Sequence, residues 1–249
     1  TVKGPLLGSN ADWRPFLDGV DTVVHAAAVA HAIKRRLSRA EYIESNCEGT
    51  LRLAAQAATC GVKRFIFLST IGVLGDYTIY GRPFDDGSAP SPVTDYAYSK
   101  WRAEEGLRQH LKDTELRYVV IRPPLVYGPG APGNVGRLLR AVQCGYPIPF
   151  GAVTFNRRSF ISRANLADFI SLCVTSPYAI DSTLLVSDAR VLSTAEFIAG
   201  VARASDKKAR LVRIPPLLLS LLLRAIGGRR MQRQLLGNLE IDFSGTERV

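Results

Sequence analysis

Short β-branched runs alternate with longer stretches of helical period along the first half of the chain. Residues 21–25, Asp-Thr-Val-Val-His, form a brief apolar run that ends in small residues, Ala26-Ala27-Ala28. This pattern predicts a buried strand followed by a loop that something approaches closely. A helix is predicted over 39–60, with Gly61 as its stop. The run 63–69 reads as the next buried strand, and 75–94, rich in Gly, Pro, Asp and Ser, as a loop. A further helix is predicted over 95–112 and a strand over 118–122, broken by Pro123-Pro124. Strand–helix–strand at this rhythm means right-handed crossovers and a parallel sheet.

After Gly128-Pro129-Gly130 the order loosens. Helices are predicted over 136–144, 164–175, 194–203 and 217–226, with short strands near Phe160 and at 184–186. The fold class expected is α/β: a doubly wound parallel sheet over 1–130, then a smaller mixed lobe over 131–249 with elements returning to the sheet. Residues 1–20 read as the end of a strand region and a short helix at 13–17. No internal repeat or low-complexity segment is visible.

Composition narrows the classes. With 249 residues, 47% hydrophobic and 22% charged, the chain is an ordinary soluble globular protein. Its four cysteines, Cys47, Cys60, Cys144 and Cys173, are scattered and read as small buried side chains in a reducing compartment. The net charge of +10 is spread, with modest clusters at 34–36, 207–208 and 229–230. No aromatic-interleaved basic stripe is present, so no nucleic-acid partner is expected. The apolar stretch 214–223 is too short to span a bilayer, which takes ~20 residues, and is expected to be a buried helix or one roofing a cleft. No transmembrane segment, secretory leader or metal site is expected, and the location expected is cytoplasmic.

The candidate chemistry lies at the strand ends. Tyr96 and Lys100 stand in Y-A-Y-S-K, one helical turn apart, with Ser69-Thr70 at the end of the preceding strand. A Tyr-x-x-x-Lys pair is common by chance on exposed helices. Here the spacing puts both side chains on one helix face, where the ammonium is expected to draw the phenol's pKa toward neutrality. A nearby hydroxyl then holds the oxygen that gains or loses the proton. In parallel sheets ligands sit beyond the carboxyl ends of strands. Ala26–Ala28, Ser69-Thr70 and Pro123 all occupy such ends.

The motifs D-T-V-V-H-A-A-A (21–28), N-C-E-G-T (46–50), F-L-S-T-I-G-V-L-G (67–75), Y-A-Y-S-K (96–100), I-R-P-P-L-V-Y-G-P-G (121–130) and R-R-S-F-I (157–161) carry a resemblance. In that order the chain resembles the extended short-chain dehydrogenase/reductase superfamily, within its NAD-dependent nucleotide-sugar epimerase/dehydratase group. It is most similar there to UDP-glucose 4-epimerase-like proteins of the surface-polysaccharide type. The resemblance implies Thr70, Tyr96 and Lys100 as the catalytic trio. It places Ala26, Ala27, Ala28, Asn46, Ser69, Tyr96, Lys100 and Pro123 along the dinucleotide, which would be NAD, with NADP possible. Thr70, Asn134 and Arg158 would face the UDP-sugar, while Arg157 is expected to be a surface charge and His25 and His31 structural. A homodimer through helices 39–60 and 95–112 is implied as well.

The family's Gly-rich phosphate turn, its helix and flanking strands are not found, so a longer parent is expected, together with weak NAD binding and doubtful stability for this stretch alone. Leu125 stands where many relatives carry an asparagine, and Leu74 where many carry a tyrosine. Three activities follow from the resemblance. The first is C4 epimerisation of a UDP-hexose or UDP-N-acetylhexosamine through a 4-keto intermediate. The second is NAD(P)H-dependent reduction of a 4-keto-6-deoxy nucleotide sugar, and the third a non-catalytic nucleotide-binding relative or inactive fragment. A 4,6-dehydratase is disfavoured, since Ile71 and Gly72 follow Thr70 and neither can move a proton.

Overall fold

The computed structural model describes residues 3–30, 37–131 and 133–247. His31 and the 34–36 cluster lie outside the described residues. Four strands, β1 (Thr22–His25), β2 (Arg64–Leu68), β3 (Arg117–Arg122) and β6 (Ser182–Leu185), form one parallel sheet in the order β1-β2-β3-β6. Between β3 and β6 in sequence, β4 (Leu125–Tyr127) and β5 (Phe160–Ser162) make a separate parallel pair. β6, from the second half of the chain, thus returns to the main sheet.

The helices are α1 (Arg39–Ile43), α2 (Gly49–Thr59), α3 (Asp95–Leu111), α4 (Gly133–Gln143), α5 (Arg163–Thr175), α6 (Thr194–Ala204) and α7 (Pro216–Leu236). A π-helical segment, Glu44–Glu48, joins α1 to α2 without a break. β2 is flanked on both sides, and its side chains alternate between two cores, as a central parallel strand requires. Phe65 and Phe67 pack with Leu53, Ala57, Ala103 and Leu107 under α2 and α3. Ile66 turns the other way, to Val119, Ile121, Leu166 and Leu184 under α5. Helices on both faces make the sheet doubly wound. Close approach of α2 to α3 depends on Gly106, where an added Cβ would lie 2.7 Å from the Leu51 methyls.

Capping fixes where the site helices begin. Ser38 and Glu41 form a reciprocal capping box at the start of α1. Thr94 caps α3 by accepting from the Ala97 N–H at 3.0 Å, which sets Tyr96 in the first turn. Arg39 pairs with Asp95 at 2.7 Å and so ties the two starts together.

α7 departs from its expectation. Leu219 and Leu223 are buried against Val153, but Leu217, Leu218, Leu221, Leu222 and Ile226 are exposed. The helix is broken at Gly228, whose φ of 70° and ψ of −176° suit glycine alone. Gln232 Nε2 donates to Ser220 Oγ at 2.6 Å, so the second segment folds back on the first. In one straight helix these residues, twelve apart, would be about 18 Å distant.

Candidate functional site

Because the sheet is parallel, the carboxyl ends of β1, β2 and β3 open on one edge. Ala26 and Ala27, just past β1, are exposed small residues, so a ligand can reach the backbone there. The next part of this loop is held from behind. Asn46, buried in the π-helical segment, accepts from the Val29 N–H at 2.8 Å and donates to the Val29 carbonyl at 3.0 Å. It also donates to Ser99 Oγ at 3.1 Å, and Ser99 donates to the Tyr96 carbonyl at 2.8 Å. One chain of hydrogen bonds therefore couples the β1 loop to the turn that carries Tyr96. π segments recur at functional sites because they re-aim a side chain. Asn46, expected along the dinucleotide, has its amide bonded to Val29 and Ser99 and so shapes the β1 loop.

Past β2, Thr70 is extended and its Oγ1 accepts from the Gly72 N–H at 3.2 Å, leaving its own O–H to donate. A Cβ placed on Gly72 would lie 3.4 Å from Thr70 Oγ1 and 3.5 Å from Ala97 Cβ. Thr70 and the first turn of α3 thus meet across this glycine. Buried Pro123, past β3, accepts from the Ile71 N–H at 2.9 Å and locks its strand end to the same turn. The Tyr96 ring stands edge-on to Tyr42, with centroids 6.4 Å apart.

The electrostatics differ from the sequence expectation. Burial, then the Tyr42 phenol, pushes Tyr96 up to about 12. Lys100 is 1% exposed, with Nζ 4.2 Å from the Phe67 ring centroid. Burial pulls it down to about 7, against the opposing pull of Glu104. The pair therefore rests as a neutral phenol beside an ammonium close to losing its proton. Helical spacing predicted a shared face and a phenol drawn toward neutrality; burial dominates both shifts and moves the phenol the other way. His25, beneath the loop, is stacked on Phe67 and bonded to Thr50 Oγ1 at 2.9 Å. Burial and Lys100 drive it down to about 3, so it is neutral and structural.

The Ser69 hydroxyl turns inward and donates to Glu104 Oε1 at 2.5 Å. Glu104, 0% exposed, receives Arg122 through Nε at 3.1 Å and Nη2 at 2.5 Å. This buried cluster, which the sequence reading missed, ties β2, α3 and β3 together directly beneath the site. Its signal was available: Glu104 stands one turn after Lys100, and Arg122 immediately precedes Pro123.

In the second half, Arg158 lies just before β5, where it bridges Leu192 and Leu239 through its backbone. Its guanidinium is buried and donates to the Gly237 carbonyl at 3.0 Å, and burial lowers it to about 10. Among the described residues it has no carboxylate partner. Arg157 pairs with Glu240 at 2.7 Å at the surface. The side chain of Asn134 lies outside the described residues, and Leu125 is exposed in β4.

The NAD dependent epimerase/dehydratase family matches residues 2–187. The chain belongs to this family. A UDP-glucose 4-epimerase of Vibrio cholerae is 39% identical over 243 residues, covering 97% of this chain and 74% of that protein. An N-acetyl-alpha-D-glucosaminyl-diphospho-ditrans,octacis-undecaprenol 4-epimerase of Escherichia coli O157:H7 is 31% identical, covering 80% of this chain and 59% of that one. Among solved structures, MoeE5 in complex with UDP-glucuronic acid and NAD superposes with a TM-score of 0.76 at 21% identity, over all of this chain and 78% of that one. UDP-glucuronic acid 4-epimerase from Bacillus cereus gives 0.72 at 18% identity, over 96% and 71%. These two likenesses confirm a Rossmann-like sheet with a smaller α/β lobe. With the family come NAD as cofactor and epimerase/dehydratase chemistry. The exposed small residues of the β1 loop leave the backbone at this edge open to a dinucleotide.

Proposed function

We propose that the protein interconverts the C4 epimers of a UDP-hexose or UDP-N-acetylhexosamine. The observation that carries this reading is the meeting of Thr70 with the first turn of α3 across Gly72, at the open edge of the sheet. The Thr70 O–H donates to the sugar's 4-oxygen and orients it. Tyr96 exchanges the proton of that oxygen, accepting it as the 4-keto sugar forms and returning it to the epimer. Lys100 holds positive charge beneath the phenolate form, which the resting site disfavours by burial. The cofactor supplies hydride acceptance and return. Arg158, a buried cation with no carboxylate partner among the described residues, takes the diphosphate. Burying a cation without a counter-charge is costly, and a phosphate provides two matched acceptors for its planar fork.

A second reading keeps the chemistry but changes the carrier to a lipid diphosphate, as in the name of the E. coli relative. The exposed leucine face of α7 favours it. Pairing of two copies through α2 and α3 belongs to the same proposal. The groove between these helices, about 630 Å³, sets Leu51, Ala55 and Trp101 among the charged Glu48, Arg52 and Arg102. Trp101 Nε1 is buried there without a hydrogen-bond acceptor among the described residues.

The test is incubation with NAD and, separately, UDP-glucose, UDP-N-acetylglucosamine, a polyprenyl-diphosphate N-acetylglucosamine and a 4-keto-6-deoxy nucleotide sugar. Epimer formation without net cofactor turnover is expected with one of the first three. Tyr96→Phe should lower kcat by about 100-fold or more with KM little changed, the scale of a lost general acid–base. Stoichiometric NADPH oxidation with the keto sugar alone would reject epimerisation in favour of ketoreduction.

A further inference from the structure

Residues 216–227 make the first segment of α7. At about 100° per residue, Leu219 and Leu223 fall on one side and face the core. Leu217, Leu221, Ala225, Leu218, Leu222 and Ile226 follow one another around an arc of about 180° that runs from the far side of the helix back to the edge of Leu219. All six are exposed, Leu217 and Ile226 to 77% each. A surface helix ordinarily turns charge outward on this side. Here the outward arc carries no polar residue, and Arg224 stands at its border.

The surroundings carry one sign of charge. Residues 207–239 contain eight basic residues and no acidic one. Arg233 is occupied by the Tyr77 ring at 4.7 Å and by Asp76. Lys207, Lys208, Arg210, Arg213, Arg224, Arg229 and Arg230 are exposed and have no ion pair among the described residues. A second copy of the same face would bring these cations against each other. No helix among the described residues is long and apolar enough to cross a membrane. An apolar arc rimmed by lysine and arginine matches the acyl boundary and headgroups of an anionic bilayer.

We propose that the first segment of α7 lies flat in the interface of an anionic membrane, with Leu217, Leu218, Leu221, Leu222 and Ile226 among the acyl chains and Arg224, Arg229 and Arg230 at the headgroups. The inference stands on this helix alone and holds whichever carrier the sugar has. It explains why an enzyme face that should be polar is instead built of leucine. The kink at Gly228 folds the second segment back on the first, so that the exposed leucines of α7 all belong to the first segment.

Cosedimentation of the protein with lipid vesicles tests it. Vesicles with about 30% phosphatidylglycerol in phosphatidylcholine should retain the protein at least about tenfold better than phosphatidylcholine alone, and about 0.5 M salt should erase that preference. Leu218→Gln with Leu222→Gln should weaken retention about tenfold or more, given the transfer value of buried leucine surface. Arg229→Gln with Arg230→Gln should cost about fivefold per arginine on the anionic vesicles and nothing on the neutral ones. Both residue pairs are exposed, so the melting temperature should not fall. Three outcomes would overturn the proposal. One is absence of vesicle binding, and another is equal binding by the leucine variant. The third is a leucine variant that melts lower or sediments as a smaller species without lipid, since the face would then be packed against protein.

Discussion

Single residues carried their identity into the sequence but not their protonation. The Tyr-x-x-x-Lys spacing located Tyr96 and Lys100 because helical period is a local property. It could not show that Lys100 would be sealed over Phe67, because that depends on how α3 settles on β2. The same is true of Ser69 and Asn46, whose hydrogen bonds run to Glu104, Val29 and Ser99, all distant in sequence. The Lys100 environment has a measurable consequence for stability. Its folded pKa of about 7 lies below the 10.5 of an exposed lysine. Between these values the unfolded chain holds a proton that the folded one lacks, so stability rises with pH across the window. Below pH 7 the full penalty of burying the charge remains. Lys100→Met should therefore abolish turnover yet raise the melting temperature of the ligand-free protein at pH 7. The wild type should gain on the variant by up to about 1.4 kcal/mol per pH unit between pH 7 and 10. Urea denaturation across that range checks the sign, and a variant less stable than wild type at pH 7 contradicts it.

At the scale of elements, the strands and most helices were legible because each shows its own period. Continuous apolar runs gave β1, β2 and β3, while the caps Ser38 and Thr94, which fix the starts of α1 and α3, came only with the structure. Two features were hidden. The π-helical segment at 44–48 reads as ordinary helix, since an extra residue per turn leaves the apolar pattern nearly intact. The reversal in α7 was half visible: the Gly227-Gly228 pair announces an end at 226 but not the second segment that folds back. Gly228 is where this matters energetically. Its backbone lies in a region side chains do not adopt, so Gly228→Ala should destabilise by about 1–3 kcal/mol. Gly200, inside α6, has nothing within 4 Å of an added Cβ and ordinary helical geometry. Gly200→Ala should stabilise by up to about 1 kcal/mol. Opposite signs from the same substitution, read in one set of chemical denaturation curves, separate backbone strain from helix propensity.

For the whole molecule, the alternation of strands and helices was enough to give a parallel, doubly wound sheet, because right-handed crossovers leave few topologies. The exposed surface was less legible. The 214–223 stretch has the composition of a core helix, and only the packing of α7 on Val153 shows that its leucines divide between core and solvent. The groove between α2 and α3 poses the same question on the other side of the molecule. Its lining sets Leu51, Ala55, Trp101 and Gly106 among the charged Glu48, Arg52, Arg102 and Glu105, the buried Trp101 indole N–H has no acceptor among the described residues, and the helices approach closely only because Gly106 admits Leu51. An arginine at Ala55, an exposed small residue in this lining, would place a bulky charge where a second copy must pack. The wild type should sediment as a dimer and Ala55→Arg as a monomer. Thermal unfolding followed at limiting dilution, where both are monomers, should give the same midpoint for each. A wild type already monomeric at micromolar concentration, or an Ala55→Arg protein still dimeric, would remove the groove as the pairing face. Vesicle binding through α7 would be untouched by either result, because the two surfaces share no residue.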